Sequence, residues 1–122
     1  METKESSQMY LETIYILSQK SDIVRKIDVS RYMGFAKPSV TRGISLLEKQ
    51  ELVKVDDGSI ILTESGEKEA KKIYERHTVL SKMFMNLGVS EETATEDACR
   101  IEHYISEETF DAIKKHMEKY SK

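Results

Sequence analysis

Tyr10, Ile14 and Leu17 recur at helical spacing along an otherwise mixed stretch, and the pattern predicts a helix over residues 7–19. Ile27, Val29 and Tyr32 mark a short second helix over 26–33, which Gly34 is suited to close in the left-handed conformation. Pro38 fits the first turn of a third helix, where its missing N–H removes no bond. There Val40, Ile44 and Leu47 share one face, leaving Lys37, Ser39 and Arg42 to solvent or a ligand. After Leu52 the period shortens to two. Val53 and Val55 alternate with Lys54, Asp56-Asp57-Gly58-Ser59 supplies a turn, and Ile60-Ile61-Leu62 is a second apolar run, together a two-stranded hairpin. Thr63 is a cap residue followed by the acids Glu64 and Glu67, opening a long helix over 64–86 that ends near Gly88. Ser90 and Ser106 predict caps for two further helices, about 91–105 and 107–120.

Helix, short helix, turn, helix and hairpin, in that order, describe a winged helix-turn-helix. The expected fold is mostly α with a small β-hairpin: a DNA-binding domain over 1–63 and an α-helical domain over 64–122. The bland alternative is a small helical domain with solvated charges.

Composition narrows the class. The chain has 122 residues, 34% of them charged and 39% hydrophobic, which is neither disordered nor membrane-spanning. Its longest apolar run, Ile14 to Leu17, is far below the ~20 residues of a membrane helix, and the polar start lacks the apolar stretch of a secretory signal. One cysteine forms no internal disulfide, so a cytoplasmic location with a reduced thiol is expected. The net charge of −3 hides a split. From Arg25 to Lys54 there are seven basic residues against three acids, and from Glu64 to Lys119 nine against thirteen. The first half is suited to face phosphate, the second to hold cations.

Cys99, Glu102 and His103 stand at i, i+3 and i+4 of a predicted helix, which puts thiol, carboxylate and imidazole on one face. A mixed S, O and N set suits first-row transition metals rather than Mg²⁺ or Ca²⁺. Met9 and Glu12 lie at i and i+3 of the first helix, and His77 lies on the long one. Each has an ordinary explanation as well: a lone Cys as a small core residue, Met9 as core, a Glu-His pair as solvated surface. His116, among Lys114, Lys115 and Glu118, reads as plain surface.

Met9-Tyr10-Leu11-Glu12-Thr13-Ile14-Tyr15, Arg76-His77 and Ala98-Cys99-Arg100-Ile101-Glu102-His103 resemble the diphtheria toxin repressor / manganese transport regulator family, DtxR/MntR. Lys37-Pro38-Ser39-Val40-Thr41-Arg42 is similar to its recognition helix, and Leu62-Thr63-x-x-Gly66 to the exit from its wing. The resemblance covers about Met9 to Tyr120 and implies a metal-activated, homodimeric repressor of the short form, without the SH3-like third domain. It also implies a ligand set. The iron-responsive branch builds its primary site from the positions of Met9, Cys99, Glu102 and His103. The manganese branch has Asp in place of Met9 and Glu in place of Cys99, yet Glu12 and His77 match its second ion site. Ser81 and Thr95 stand where the iron branch's ancillary site has an acid and a second His. The expectation is one well-made site plus a weaker one of Glu12, His77 and Glu102.

Thioether and thiolate donors favour Fe²⁺, Co²⁺, Ni²⁺ or Zn²⁺ over Mn²⁺. Fe²⁺ is the expected effector and Mn²⁺ the runner-up, with Co²⁺, Ni²⁺ or Zn²⁺ able to substitute in vitro. An ion held by Met9 and Glu12 together with Cys99, Glu102 and His103 would tie the DNA-binding half to the dimerisation half, fixing two recognition helices for successive major grooves. The expected partners are double-stranded operator DNA and a second copy of the chain, with no membrane and no small-molecule substrate. Arg42 is the candidate base contact; Lys37, Ser39 and Thr41 are candidates for phosphate or bases, with Pro38 opening their helix; Arg25 and Lys26 are candidates for phosphate. Two rivals are a winged-helix sensor using Cys99 as a reactive thiol, and a metal-dependent enzyme. The second lacks a positioned base and an oxyanion donor motif.

Overall fold

The structure, a computed structural model, describes residues 4–120. Its elements run α1 (Lys4–Lys20), α2 (Lys26–Met33), α3 (Lys37–Lys49), β1 (Val53–Asp56), β2 (Ser59–Leu62), α4 (Glu64–Asn86), α5 (Glu91–Ile101) and α6 (Glu107–Tyr120). The expected mostly-α fold with one hairpin is therefore present. The chain forms two compact units, Met1–Lys72 and Ile73–Lys122, so the division falls inside α4, beyond the point where the wing ends.

In the first unit, the apolar positions that set the helical period are the buried ones: Tyr10, Leu11 and Ile14 of α1, Val29 of α2, and Val40, Ile44 and Leu47 of α3. A Cβ on Gly43 would overlap the ring of Tyr10, whose hydroxyl donates to the Ser39 carbonyl at 3.1 Å. Gly43 thus lets α1 and α3 approach ring against backbone. Gly34 (φ 72°) ends α2, its N–H donating to the Ser30 carbonyl at 2.8 Å, and Pro38 lies in the first turn of α3.

Glu51 (φ 62°) ends α3 without a glycine. The Glu51 N–H donates to Glu48 O and the Leu52 N–H to Leu47 O, both at 3.0 Å, the paired bonds of a Schellman motif. β1 and β2 pair antiparallel from Val53↔Leu62 to Asp56↔Ser59. Asp57 (φ 50°) and Gly58 (φ 80°) are both left-handed, as a two-residue type I′ turn requires. The Ile60 N–H reaches the Val24 carbonyl at 2.7 Å, tying the hairpin to the segment before α2.

Thr63 caps α4, its Oγ1 accepting from Gly66 N–H at 3.0 Å. In the second unit, Ser90 and Ser106 cap α5 and α6 by the same bond, from Thr93 N–H at 3.4 Å and Thr109 N–H at 3.1 Å. Lys114 of α6 meets Glu75 of α4 at 3.0 Å, and the carboxylate holds the ammonium above its ordinary pKa. Ile73, Leu80, Ala94, Ala98 and Phe110 are buried, whereas Leu87 and Tyr104 are 75% and 73% exposed.

Candidate metal centre and nucleic-acid interface

α5 stops at Ile101, four residues short of the expected helix over 91–105. The Glu102 N–H still donates to Ala98 O at 2.9 Å, but Tyr104 and Ile105 both turn their N–H groups onto Ile101 O, at 2.9 and 3.0 Å. The chain tightens there, and a side chain from α4 takes the place of the next helical turn. Arg76 Nη1 donates to the carbonyls of Glu102 (3.2 Å) and Ile105 (3.0 Å). The Arg76 guanidinium also lies over the Phe110 ring, 5.6 Å from its centroid. Glu102 and His103 therefore belong to a turn rather than to one helical face with Cys99.

That turn delivers Glu102 to His77. Glu102 is fully buried, and its Oε2 lies 2.9 Å from His77 Nδ1. A buried carboxylate is costly unless positive charge or hydrogen-bond donors meet it. Its other oxygen, Oε1, has no hydrogen-bond partner among the described residues and lies 3.4 Å from His103 Nε2. One carboxylate thus faces two imidazoles, one on each oxygen. Cys99 completes a three-donor cluster with His77 and Glu102, its Sγ, an imidazole nitrogen and a carboxylate oxygen all within 4.8 Å of one another. The thiol is exposed, so the ordinary reading of Cys99 as a small core residue does not describe it. Ser81, one turn after His77 on α4, is buried with no hydrogen-bond partner for its hydroxyl among the described residues.

The donor set fits a divalent transition ion. It offers sulfur, nitrogen and oxygen at close quarters, with a buried carboxylate oxygen that has no hydrogen-bond partner among the described residues. Within the second unit the structure groups Cys99 with His77 and Glu102, and pairs Glu102 with His103. In the first unit, Glu12 is buried and Met9 half-buried on α1. His116 is exposed, as its charged neighbours suggested. Arg76 was visible in the sequence only as the neighbour of His77. An arginine directly preceding a ligand candidate on the same helix was the available signal.

On the first unit, α3 buries Val40, Gly43, Ile44 and Leu47 and exposes Lys37, Pro38, Thr41, Arg42 and Ser45, with Ser39 half-buried. The exposed side chains lie together on the side of α3 away from its buried residues. Arg42 Nη2 donates to Ser39 Oγ at 3.3 Å. Ser45, one turn after Thr41, shares this face and was not singled out by charge or motif. Lys26 is exposed at the start of α2. Arg25 is exposed too, but its Nη1 donates to the Asp57 carbonyl at 3.3 Å, bracing the hairpin tip.

Two family models match successive parts of the chain. Residues 2–58 match the model of the iron dependent repressor N-terminal DNA binding domain, and residues 63–122 match that of the iron dependent repressor metal binding and dimerisation domain. The chain is 33% identical over 112 residues to the transcriptional regulator MntR of Escherichia coli, covering 91% of this chain and 72% of that one. An uncharacterized HTH-type transcriptional regulator of Methanocaldococcus jannaschii is 31% identical over 119 residues, 95% of each chain. Among solved structures, a manganese-dependent transcriptional repressor in complex with manganese superposes with a TM-score of 0.84 at 26% identity. That match covers 92% of this chain and 52% of the other, about half its length. No helix among the described residues is long and apolar enough to cross a membrane. The winged helix-turn-helix, the donor cluster around Glu102 and these matches place the chain in the DtxR/MntR family of metal-dependent transcriptional repressors.

Proposed function

We propose that this chain is a cytoplasmic, metal-activated repressor that binds operator DNA as a homodimer when loaded with Fe²⁺ and controls metal-uptake genes. The observation behind the reading is the meeting of His77, Cys99 and Glu102, with their donor atoms within 4.8 Å. His77, Cys99, Glu102 and His103 would hold the ion. Met9 and Glu12 join the ligand set on the strength of the family resemblance and their donor types. The ion would supply positive charge to the buried Glu102 carboxylate, and the soft Cys99 sulfur favours Fe²⁺ over the harder Mn²⁺. A second reading, Mn²⁺ as effector, is supported by the relatives named MntR and by the manganese-dependent repressor of similar fold.

Activation requires that the ion bind the DNA-competent form more tightly than the other form; DNA must then tighten metal binding by the same factor. The homodimer is supported by exposed apolar side chains of the second unit, Leu87, Ile101 and Tyr104, which a second copy could cover. Arg42 would read a base edge, with Lys37, Pro38, Ser39 and Thr41 beside it on α3 and Arg25 and Lys26 toward phosphate. Anaerobic DNA binding titrated with each metal in turn separates the two readings. Half-maximal activation at lower free Fe²⁺ than free Mn²⁺ supports iron; the reverse order assigns the protein to manganese.

A further inference from the structure

We infer that Arg76 is a positioning residue of the metal centre, setting the backbone that carries Glu102 and His103. The inference rests on the metal-site reading above. α4 holds Glu102 at both ends. His77 meets its carboxylate at 2.9 Å, and the adjacent Arg76 meets its backbone carbonyl at 3.2 Å. The same Nη1, which carries two N–H groups, also serves the Ile105 carbonyl at 3.0 Å. One nitrogen thus spans the turn from Glu102 to Ile105 that replaces the last helical turn of α5.

The carbonyls at the end of a helix lack intrahelical partners, and a cationic side chain there satisfies them and complements the helix dipole. Phe110 of α6 packs under the guanidinium at 5.6 Å and limits its freedom to swing away. Without Arg76, Glu102 would lose its backbone restraint while keeping its side-chain partner. The turn from α5 to α6 would then sample positions in which Cys99, Glu102 and His103 no longer present their donors together. Among the described residues, the hydrogen bonds of Arg76 go to these backbone carbonyls and not to a donor atom of the cluster. It acts on the ion through the peptide of Glu102, as outer partners of metal ligands generally do.

The test compares wild type, Arg76→Met and Arg76→Lys, using Co²⁺ as a spectroscopic probe with chelator competition, and amide hydrogen exchange on the metal-free proteins. The expected result is a loss of Co²⁺ affinity of about 10–100-fold in Arg76→Met, the range for removing an outer partner, with a changed ligand-field spectrum. Arg76→Lys, which keeps charge but not the planar fork, recovers part of the affinity. In metal-free Arg76→Met, the amides of Tyr104 and Ile105 exchange faster while those of β1 and β2 stay unchanged. Should Arg76→Met not fold, Arg76→Lys decides by the same readouts. Wild-type Co²⁺ affinity and spectrum in folded Arg76→Met, or in Arg76→Lys where that is the only folded variant, overturn the inference. Absence of Co²⁺ binding by the wild type overturns the metal-site reading itself and takes this role with it; the exchange result is then left as a purely structural effect.

Discussion

Glu102 is fully buried with one carboxylate oxygen 2.9 Å from His77 Nδ1 and the other 3.4 Å from His103 Nε2. A side chain of that kind is poorly explained as a stabilising element, since keeping a carboxylate away from water is costly unless charge or donors repay it. On the proposed reading it is a donor to a cation. Glu102→Gln should therefore leave the metal-free protein as stable as wild type or more so. At metal in 100-fold excess over its dissociation constant the wild type should gain about 2.7 kcal/mol from binding, and Glu102→Gln close to nothing. Thermal unfolding with and without metal checks both halves.

On the proposed reading, the Cys99 sulfur sets which ion is favoured. Replacing its sulfur by oxygen in Cys99→Ser should weaken Fe²⁺, Co²⁺ and Zn²⁺ binding by at least about tenfold, or ~1.4 kcal/mol, while leaving Mn²⁺ binding nearly unchanged. Competition with a chelator of known affinity under anaerobic conditions reads the difference. An equal loss for all four ions would mean that sulfur does not set the preference.

Arg42 and Lys37 should separate by kind of contact. Arg42→Ala should cost ~1–3 kcal/mol on the operator and relax its sequence preference, as expected for a base-edge contact. Lys37→Ala should weaken binding to all sequences alike and lower the salt slope by about one. Binding titrations at several salt concentrations on specific and scrambled duplexes distinguish them.

Glu51 holds a left-handed conformation that favours glycine, and α3 depends on it for its closing bonds. Glu51→Gly should raise stability by about 0.5–1 kcal/mol, the relieved left-handed strain being partly offset by the greater freedom of the unfolded chain. Denaturant unfolding measures it. DNA affinity should not change, because Glu51 is not on the exposed face of α3.

Much of this molecule could be read from local patterns. The bounds of α4 and α6, the caps at Thr63, Ser90 and Ser106, and the Asp57-Gly58 turn follow from residues within a few positions of each feature. The end of α3 did not, because Glu51 takes the left-handed conformation that glycine usually supplies. Nor did the end of α5. Counting i, i+3 and i+4 placed Cys99, Glu102 and His103 on one helical face, and nothing local shows that Arg76, far back in the chain, captures the carbonyls of Glu102 and Ile105. The same distance in sequence left the meeting of His77 with Glu102 to the family resemblance alone, and the resemblance put Cys99 in the other site, with Met9, Glu102 and His103. The donors themselves were recognisable as types; their grouping is a property of how α4 meets the turn after α5.

The most direct test of the account is anaerobic binding to a library of upstream DNA with Fe²⁺, Mn²⁺, Co²⁺, Zn²⁺ or chelator. The account predicts tight, sequence-selective binding with a divalent transition metal, loss of that binding with chelator, and loss of the metal response in Glu102→Gln. Equal binding with metal and chelator would contradict it, and Cys99 would then have to be examined as a redox sensor rather than a ligand.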